Sequence, residues 1–348
     1  MVTDVRNYLY DKRILKSASF EIPVVSVGNL TAGGTGKTPH IEYLIQLLQY
    51  VYKVGTLSRG YGRKSHGFVL AKSGVNAELI GDEPMQFKAK FPETVVAVAE
   101  DRVIGIPRML HEVPETDVIL LDDAFQHRAV RAGLSILLTE YNHLFTQDEL
   151  LPVGWLREAK HNYHRADILV VTKCPTHLSS EEKEKIRKEL NPFSYQKVYF
   201  STIAYGGIYP LFSDDQQMTT NNWQPTTDIL LVSGIAKSAQ LKKYLEEKFN
   251  RVFTREYKDH HNFDQYDLEA IRDTIKNIDS ENKMIVTTEK DAVRLALHAN
   301  WFLQNKIQIF VQPIRVEFLD ADGEKFNAAI QKYIDVTKSK LITHPTED

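Results

Sequence analysis

Residues 23–39, PVVSVGNLTAGGTGKTP, run from an apolar segment through a glycine-rich turn to a lysine, a threonine and a proline. Few features restrict a fold as much. The apolar run reads as a buried strand. Behind Thr38-Pro39, Ile41, Leu44, Ile45 and Leu48 recur at i, i+3, i+4 and i+7, the spacing of one helix face. A strand, a tight turn and a helix N-terminus together leave backbone amides without acceptors at one point, which is a setting for an anion.

The same alternation continues along the chain. VVSVG 24–28, VGTLS 54–58, VVAVA 95–99, VILLDD 118–123 and LSILLTE 134–140 are short apolar runs separated by helical patterns, as in a parallel α/β sheet. A second series follows the Pro/Gly-bearing stretch LPVGWLRE 151–158: DILVVTK 167–173, KVYFSTI 197–203, DILLVSG 228–234, MIVTTEK 284–290 and IQIFVQPIRVEF 307–318. The expected architecture is a P-loop NTPase-type α/β/α sandwich over residues 1–160, with a second, smaller α/β domain over 161–348 closing over the site. SDDQQMTTNNWQPTT 213–227 reads as a polar loop, and the closing TKSKLITHPTED as a frayed tail.

Composition removes several classes of function. With 43 Lys and Arg against 46 Asp and Glu, the net charge of −3 gives no general attraction to nucleic acid or to an anionic membrane. Any basic site is therefore local. The single cysteine, Cys174, cannot form an internal disulfide, which fits a reducing compartment such as the cytosol. No run reaches the roughly 18 to 20 apolar residues of a spanning helix, and the N-terminus lacks a signal peptide's apolar centre. That N-terminus does place Val5, Tyr8, Leu9 and Ile14 near helical spacing among Arg6, Lys12, Arg13 and Lys16. The pattern favours a helix docked on the protein over one lying on a membrane.

In the glycine loop, Thr31, Ala32, Gly33, Gly34, Thr35, Gly36, Lys37 and Thr38 form the expected nucleotide-phosphate cradle: backbone amides wrap the phosphates, Lys37 bridges them and the Thr38 hydroxyl ligates Mg²⁺. The strict Walker A spacing is broken, because Thr31 stands where its first glycine belongs. Ala32 replaces the second lysine of partition-type ATPases. Thr172-Lys173 begins a guanine-reading motif, but Pro175 occupies the place of its acid. Asp122 and Asp123 end an apolar run as a Walker B strand does, so one can hold the Mg²⁺ shell while the other positions a nucleophile or a second ligand. Gln126 and His127 follow on the same crevice. Asp101 and Arg102 end the neighbouring run, a candidate base and a phosphate-neutralising charge that an N-cap and a surface arginine would imitate. Arg59, Arg63, Lys64 and His66 lie on a cationic loop. The adjacent His260 and His261 do not fit a metal-ligand spacing, and one of them is a candidate partner for a catalytic carboxylate. TTEKDAVRL 287–295 places charged residues at another strand end.

In order and spacing, VGNLTAGGTGKTP, LSRGYGRK, GDEP 81–84, EDR 100–102, DDAFQH, LPVGWLRE, DHHNF and TEKDAVR resemble the tetraacyldisaccharide 4'-kinase family of lipid A biosynthesis, from about Val5 to Phe318. The resemblance implies ATP- and Mg²⁺-dependent phosphorylation of the 4'-hydroxyl of a tetra-acylated glucosamine disaccharide 1-phosphate, at the cytoplasmic face of the inner membrane. It further implies that Gly36, Lys37 and Thr38 bind ATP and Mg²⁺, and that Asp122, Asp123 and Glu158 arrange metal and water. Asp101 paired with His260 would be the base, the family pattern favouring the first histidine. Arg157 and the Arg59–Lys64 loop would handle phosphate charge, with Asn29, Arg59, Arg63, Gln126 and His127 on the substrate side. Members usually open on a longer apolar, aromatic segment than MVTDVRNYLYDK. Two other readings of the residues are a P-loop kinase of a soluble metabolite and a nucleotide-dependent switch or partition-type ATPase.

Overall fold

Strands that are covered on both faces are apolar along their whole length, and the runs in this sequence fold accordingly. In chain order they are β1 (Val24–Asn29), β2 (Val54–Ser58), β3 (Val69–Leu70), β4 (Val95–Val98), β5 (Val118–Asp122), β6 (Leu134–Glu140), β7 (Ile168–Thr172), β8 (Lys197–Tyr205), β9 (Tyr209–Pro210), β10 (Asp228–Ser233), β11 (Val252–Glu256), β12 (Lys283–Thr288), β13 (Ile309–Gln312) and β14 (Ile314–Phe318). The computed structural model describes residues 2–212, 225–235 and 238–343. Most of the expected polar loop at 213–227 lies outside them.

Among the described residues the strands form a nine-stranded sheet, ordered β14-β8-β7-β6-β1-β5-β2-β4-β3, and a five-stranded sheet, ordered β11-β10-β12-β13-β9. In the larger sheet β1 pairs in parallel with β5 on one side and β6 on the other. Strand order reverses there, the kind of point at which parallel sheets place ligands beyond the C-terminal ends of their strands. Alternate β1 residues feed opposite faces. Val25 and Val27 join Ile41, Leu44, Ile45 and Leu48 of helix α2 (Lys37–Leu48), while Val24 joins Ile106 and Met109 of the helix Arg102–Glu112. This is the expected α/β/α sandwich.

The division of the chain differs from the expected break near residue 160. One unit comprises residues up to 204 and those from 315 onward, and the other comprises 205–314. β7 and β8 extend the first sheet in parallel beyond β6, Ile168 aligning with Ile136 and with Lys197. LPVGWLRE is therefore a loop within the first unit. The run 307–318, read as one segment, is two strands in two sheets, separated by Pro313, which has no amide hydrogen to continue a ladder. In the second unit Leu230 and Val232 of β10 pack with Leu268 and Ile271 on one face. Ile229 and Leu231 pack with Leu241 and Leu245 on the other.

Two terminal expectations also change. The tail read as frayed is helical through Thr343, in the helix Asp322–Thr343. Its Phe326, Ile330 and Ile334 enter the core of the first sheet, its Tyr333 hydroxyl bonds the β1 backbone at Val24, and its Lys338 pairs with Asp117. The N-terminal helix α1 (Val2–Asp11) is docked on the protein, as expected, but its polar residues make the contact. Asn7, 3 % exposed, donates to Glu158; Arg6 donates to the Gln126 carbonyl; and Arg128 reaches the Asn7 carbonyl and Asp11. Val5, Tyr8 and Ile14 point outward, each more than half exposed.

Because Phe326 is 2 % exposed within the first unit's core, Phe326→Ala should lower stability by about 3–5 kcal/mol. A urea midpoint unchanged from wild type would show that the last helix is not part of that core.

Candidate active site

Near the end of β1 the backbone passes so close to the segment after β5 that a side chain at Gly28 would stand 2.6 Å from the Phe125 Cβ. Only glycine permits that approach. Gly33 and Gly36 then adopt φ of +126° and +89°, a region open to glycine, and α2 begins directly after Gly36 with no side-chain cap among the described residues. The carbonyls of Gly33, Gly34, Thr35 and Gly36 are occupied. Lys173 Nζ donates to Gly34 O at 2.6 Å, Thr172 Oγ1 to Thr35 O at 2.9 Å, and His40 Nδ1 lies 2.7 Å from Gly36 O. Asn29 Nδ2 donates to Thr35 Oγ1 at 2.8 Å and to Gly33 O at 3.4 Å. With the carbonyls held by these side chains, the first-turn amides of α2 are left to serve an anion.

His40 is buried, and burial pushes its imidazole down to about 4, so the ring is neutral. Gly36 O can only accept, which puts the ring proton on Nδ1 and leaves Nε2 to accept from Ser201 Oγ at 3.1 Å.

Asp122 and Asp123 are neighbours in unlike surroundings. Arg157 clasps Asp123 with two bonds of 3.0 and 2.8 Å, and Lys37 Nζ lies 3.7 Å away. Burial raises the Asp123 carboxyl, but Arg157's hydrogen bonds and the charges of Lys37, Arg157 and Arg102 outweigh it and hold it below the usual range. Asp122 is 6 % exposed, and its Oδ1 has no hydrogen-bond partner among the described residues. Burial first, then the charges of Asp123 and Glu83, push it up to about 7.

Asp101 caps the helix Arg102–Glu112, its Oδ1 accepting from Val103 N at 2.8 Å. Its side chain is still 54 % exposed, and His127 Nε2 lies 3.8 Å from Oδ1. His127 is held down at about 4 by burial and by Arg102. Arg102 is no surface arginine: it is 4 % exposed beside the Asp122 carbonyl. In the second unit His261 bonds Asp267 at 2.7 Å and stacks on Tyr257, whereas His260 faces Arg294 and Lys290. His261 is thus committed to its own unit's packing.

Compared with known proteins, residues 1–335 match the family model described as "LpxK: Tetraacyldisaccharide-1-P 4'-kinase". The chain belongs to the tetraacyldisaccharide 4'-kinase family. Its relatives include the tetraacyldisaccharide 4'-kinases of Phocaeicola vulgatus, 45 % identical over 95 % of this chain and 91 % of that protein, and of Flavobacterium johnsoniae, 44 % identical over 96 % and 94 %. A crystal structure of the Aquifex aeolicus LpxK, in complex with ATP, superposes with a TM-score of 0.70 at 28 % identity, covering 96 % of this chain and 95 % of that one.

For this family member, several expected site residues serve as supports. Asn29, expected on the substrate side, is fully buried beneath the phosphate loop. Gln126 Nε2 is taken by the Asn29 carbonyl and Glu158, and Arg63 is tied to Glu100, Gly67 and Ser65. Arg59 is the exposed cation of that loop's start. Glu158, expected at a metal, is 0 % exposed and accepts from Asn7, Gln126 and Arg165 at 2.8, 3.0 and 2.5 Å, so its lone pairs are engaged. The buried, unpartnered Asp122 Oδ1 fits a divalent cation, and Thr38 stands in the first turn of α2. Among the described residues no three acidic, histidine or cysteine side chains converge on a metal position. A hydroxyl, one carboxylate and nucleotide phosphates suit Mg²⁺ without such a cage. Sequence reasoning did not find the supports His40, Thr172 and Lys173. In the sequence the Thr-Lys pair reads as half of a guanine motif, although a hydroxyl and an ammonium leaving a buried strand are its legible signal.

The Asp122 carboxyl predicts a pH dependence. Its folded value of about 7 lies above its ordinary 3.8, so between those limits the folded state binds more protons than the unfolded one and stability falls as pH rises. In metal-free protein, Asp122→Asn should flatten the decline of the urea midpoint from about pH 5 to 7. An identical slope in the variant would contradict the assignment.

Proposed function

We propose that this chain transfers the γ-phosphoryl group of ATP to the 4'-hydroxyl of a tetra-acylated disaccharide 1-phosphate, the lipid A precursor named by its family. The observation carrying the reading is the phosphate loop itself: an uncapped helix N-terminus, Lys37 and an acid with an orphan oxygen lie together at a strand-order reversal. The hydroxyl oxygen forms a bond to the γ-phosphorus while the bond from that phosphorus to the β,γ-bridging oxygen breaks, and ADP leaves. Positioning and charge neutralisation do most of the work in such a transfer.

In this reading the loop 31–38 receives the phosphates, Lys37 bridges them, and Arg157 and Arg59 offset charge. Thr38 and Asp122 would hold Mg²⁺, whose charge offsets that of the phosphate oxygens when it is bound. Asp123, clasped by Arg157 and near Lys37, orients both cations. Asp101 accepts the hydroxyl proton through the carboxylate edge not used in capping, and His127 keeps a neutral imidazole beside it. The family resemblance gives His260 a supporting role to Asp101, and this too is part of the proposal. Phosphorylation of a radiolabelled acceptor by Mg-ATP tests the whole reading. Asp101→Ala should lower kcat by about a hundredfold or more while ATP binding persists. No transfer to this acceptor by the wild type would end the proposal.

A peripheral place on the inner face of the inner membrane belongs to the same proposal. Among the described residues no helix is long and apolar enough to cross a membrane. What supports peripheral docking is α1, whose polar face is used on the protein while Val5 and Tyr8, with Ile14 and Lys12 beyond them, face outward. An amphipathic surface of that kind binds an anionic interface. Val5→Glu with Tyr8→Glu should reduce co-sedimentation with anionic phospholipid vesicles and leave turnover of detergent-dispersed acceptor near wild type. Equal sedimentation would remove α1 from the membrane surface.

A further inference from the structure

Asn29 ends β1, is 0 % exposed, and uses every hydrogen-bonding position of its side-chain amide. Such an amide has two hydrogens on Nδ2 and two lone pairs on Oδ1. The hydrogens go to Thr35 Oγ1 at 2.8 Å and to Gly33 O at 3.4 Å, both in the phosphate loop. The lone pairs meet two cations, Lys37 Nζ at 3.4 Å and Arg157 Nη2. Turning the amide over would set its oxygen against the Gly33 carbonyl and its hydrogens against the cations, so the orientation is fixed. The Asn29 carbonyl, bonded by Gln126 Nε2 at 2.8 Å and by Arg157 Nη2 at 3.3 Å, holds the residue in place. One rigid group therefore ties the loop's backbone to the side chains of Lys37 and Arg157.

The charge of that group matters as much as its shape. Asp123 also touches both cations, taking two bonds from Arg157 and lying 3.7 Å from Lys37 Nζ. Its carboxylate offsets one of the two positive charges. The Asn29 oxygen gathers the same cations with no net charge, so one positive charge is left over for an incoming polyphosphate. A carboxylate at position 29 would cancel it, and would also lose both donors to the loop.

We propose that Asn29 is a positioning residue for the phosphoryl donor: Nδ2 sets the phosphate loop, Oδ1 gathers Lys37 and Arg157 beside it, and the neutral amide leaves their remaining charge to the phosphates. The inference deepens the reading of this site as a phosphoryl-transfer centre and rests on it.

The test measures Mg-ATP binding to the full chain by titration calorimetry without acceptor, alongside turnover. Asn29→Asp, nearly the same in shape, should weaken Mg-ATP binding about tenfold or more. Thr35→Val, which removes one loop-side contact, should weaken it severalfold, and Thr35→Ser should restore it. Asn29→Leu, which frees both cations, should also lower kcat about tenfold or more, with the KM for the acceptor unchanged. A role in folding alone would lower the urea midpoint and the active fraction while leaving the affinity of the active sites for Mg-ATP as in the wild type, and that result overturns the proposal. If Asn29→Leu does not fold, Asn29→Asp and Thr35→Val decide: wild-type affinity in both overturns it. Weakened binding in these variants, with no transfer to the acceptor even by the wild type, supports the positioning role and ends the acceptor assignment instead.

Discussion

A peptide's carbonyl and the amide that follows it point in nearly opposite directions, so holding a loop's carbonyls on one side turns its amides to the other. The phosphate loop depends on this constraint. Lys173, Thr172 and His40 each take one carbonyl of Gly34, Thr35 and Gly36. Two of the three come from the end of β7, and the third is oriented by Ser201 on β8. The loop's geometry therefore requires both strands in the same sheet as β1. That is the physical reason the first unit runs on to residue 204, well past the glycine-bearing stretch at 151–158.

The same locality separates two adjacent carboxylates. Asp123 has Arg157 on both oxygens and remains ionised, whereas Asp122, one residue earlier and inside the sheet, has a buried oxygen without a donor and an acidity shifted toward neutrality. Neighbouring acids driven apart in this way take different tasks. A cation supplied with the nucleotide would relieve the desolvation of Asp122, while Asp123 is already neutralised by the protein. The difference between the two, which the sequence does not mark, follows from which of them Arg157 can reach.

The strands were legible because burial on both faces leaves an unbroken apolar run, and α2 was legible because one face repeats at helical spacing. The phosphate loop survived the substitution at Thr31 because its backbone, set by Gly33 and Gly36, carries its geometry. What could not be read are pairings between distant residues. Arg63 looks like a phosphate ligand until Glu100 is seen across from it, and Asn29 looks like a substrate contact until Thr35 folds over it. The apolar run at 307–318 carries no mark of two sheets except Pro313. The start of the closing TKSKLITHPTED reads as a tail because it is polar, and its helical state follows from residues before it, Phe326, Ile330 and Ile334, which anchor the helix in the core.

Glu158 shows how far such pairings reach. A carboxylate at 0 % exposure is costly unless every lone pair is met, and here donors come from three places: Asn7 on α1, Gln126 beyond β5, and Arg165 before β7. Gln126 also holds the carbonyl of Asn29, and Asn29 holds Thr35 and Gly33. An unbroken chain of hydrogen bonds thus joins the N-terminal helix to the phosphate loop. Were α1 an independent appendage, Asn7 could turn to solvent without consequence. Its departure would instead strip a donor from a fully buried charge, so the helix that displays Val5 and Tyr8 outward also supports the hydrogen-bond chain beneath the phosphate loop.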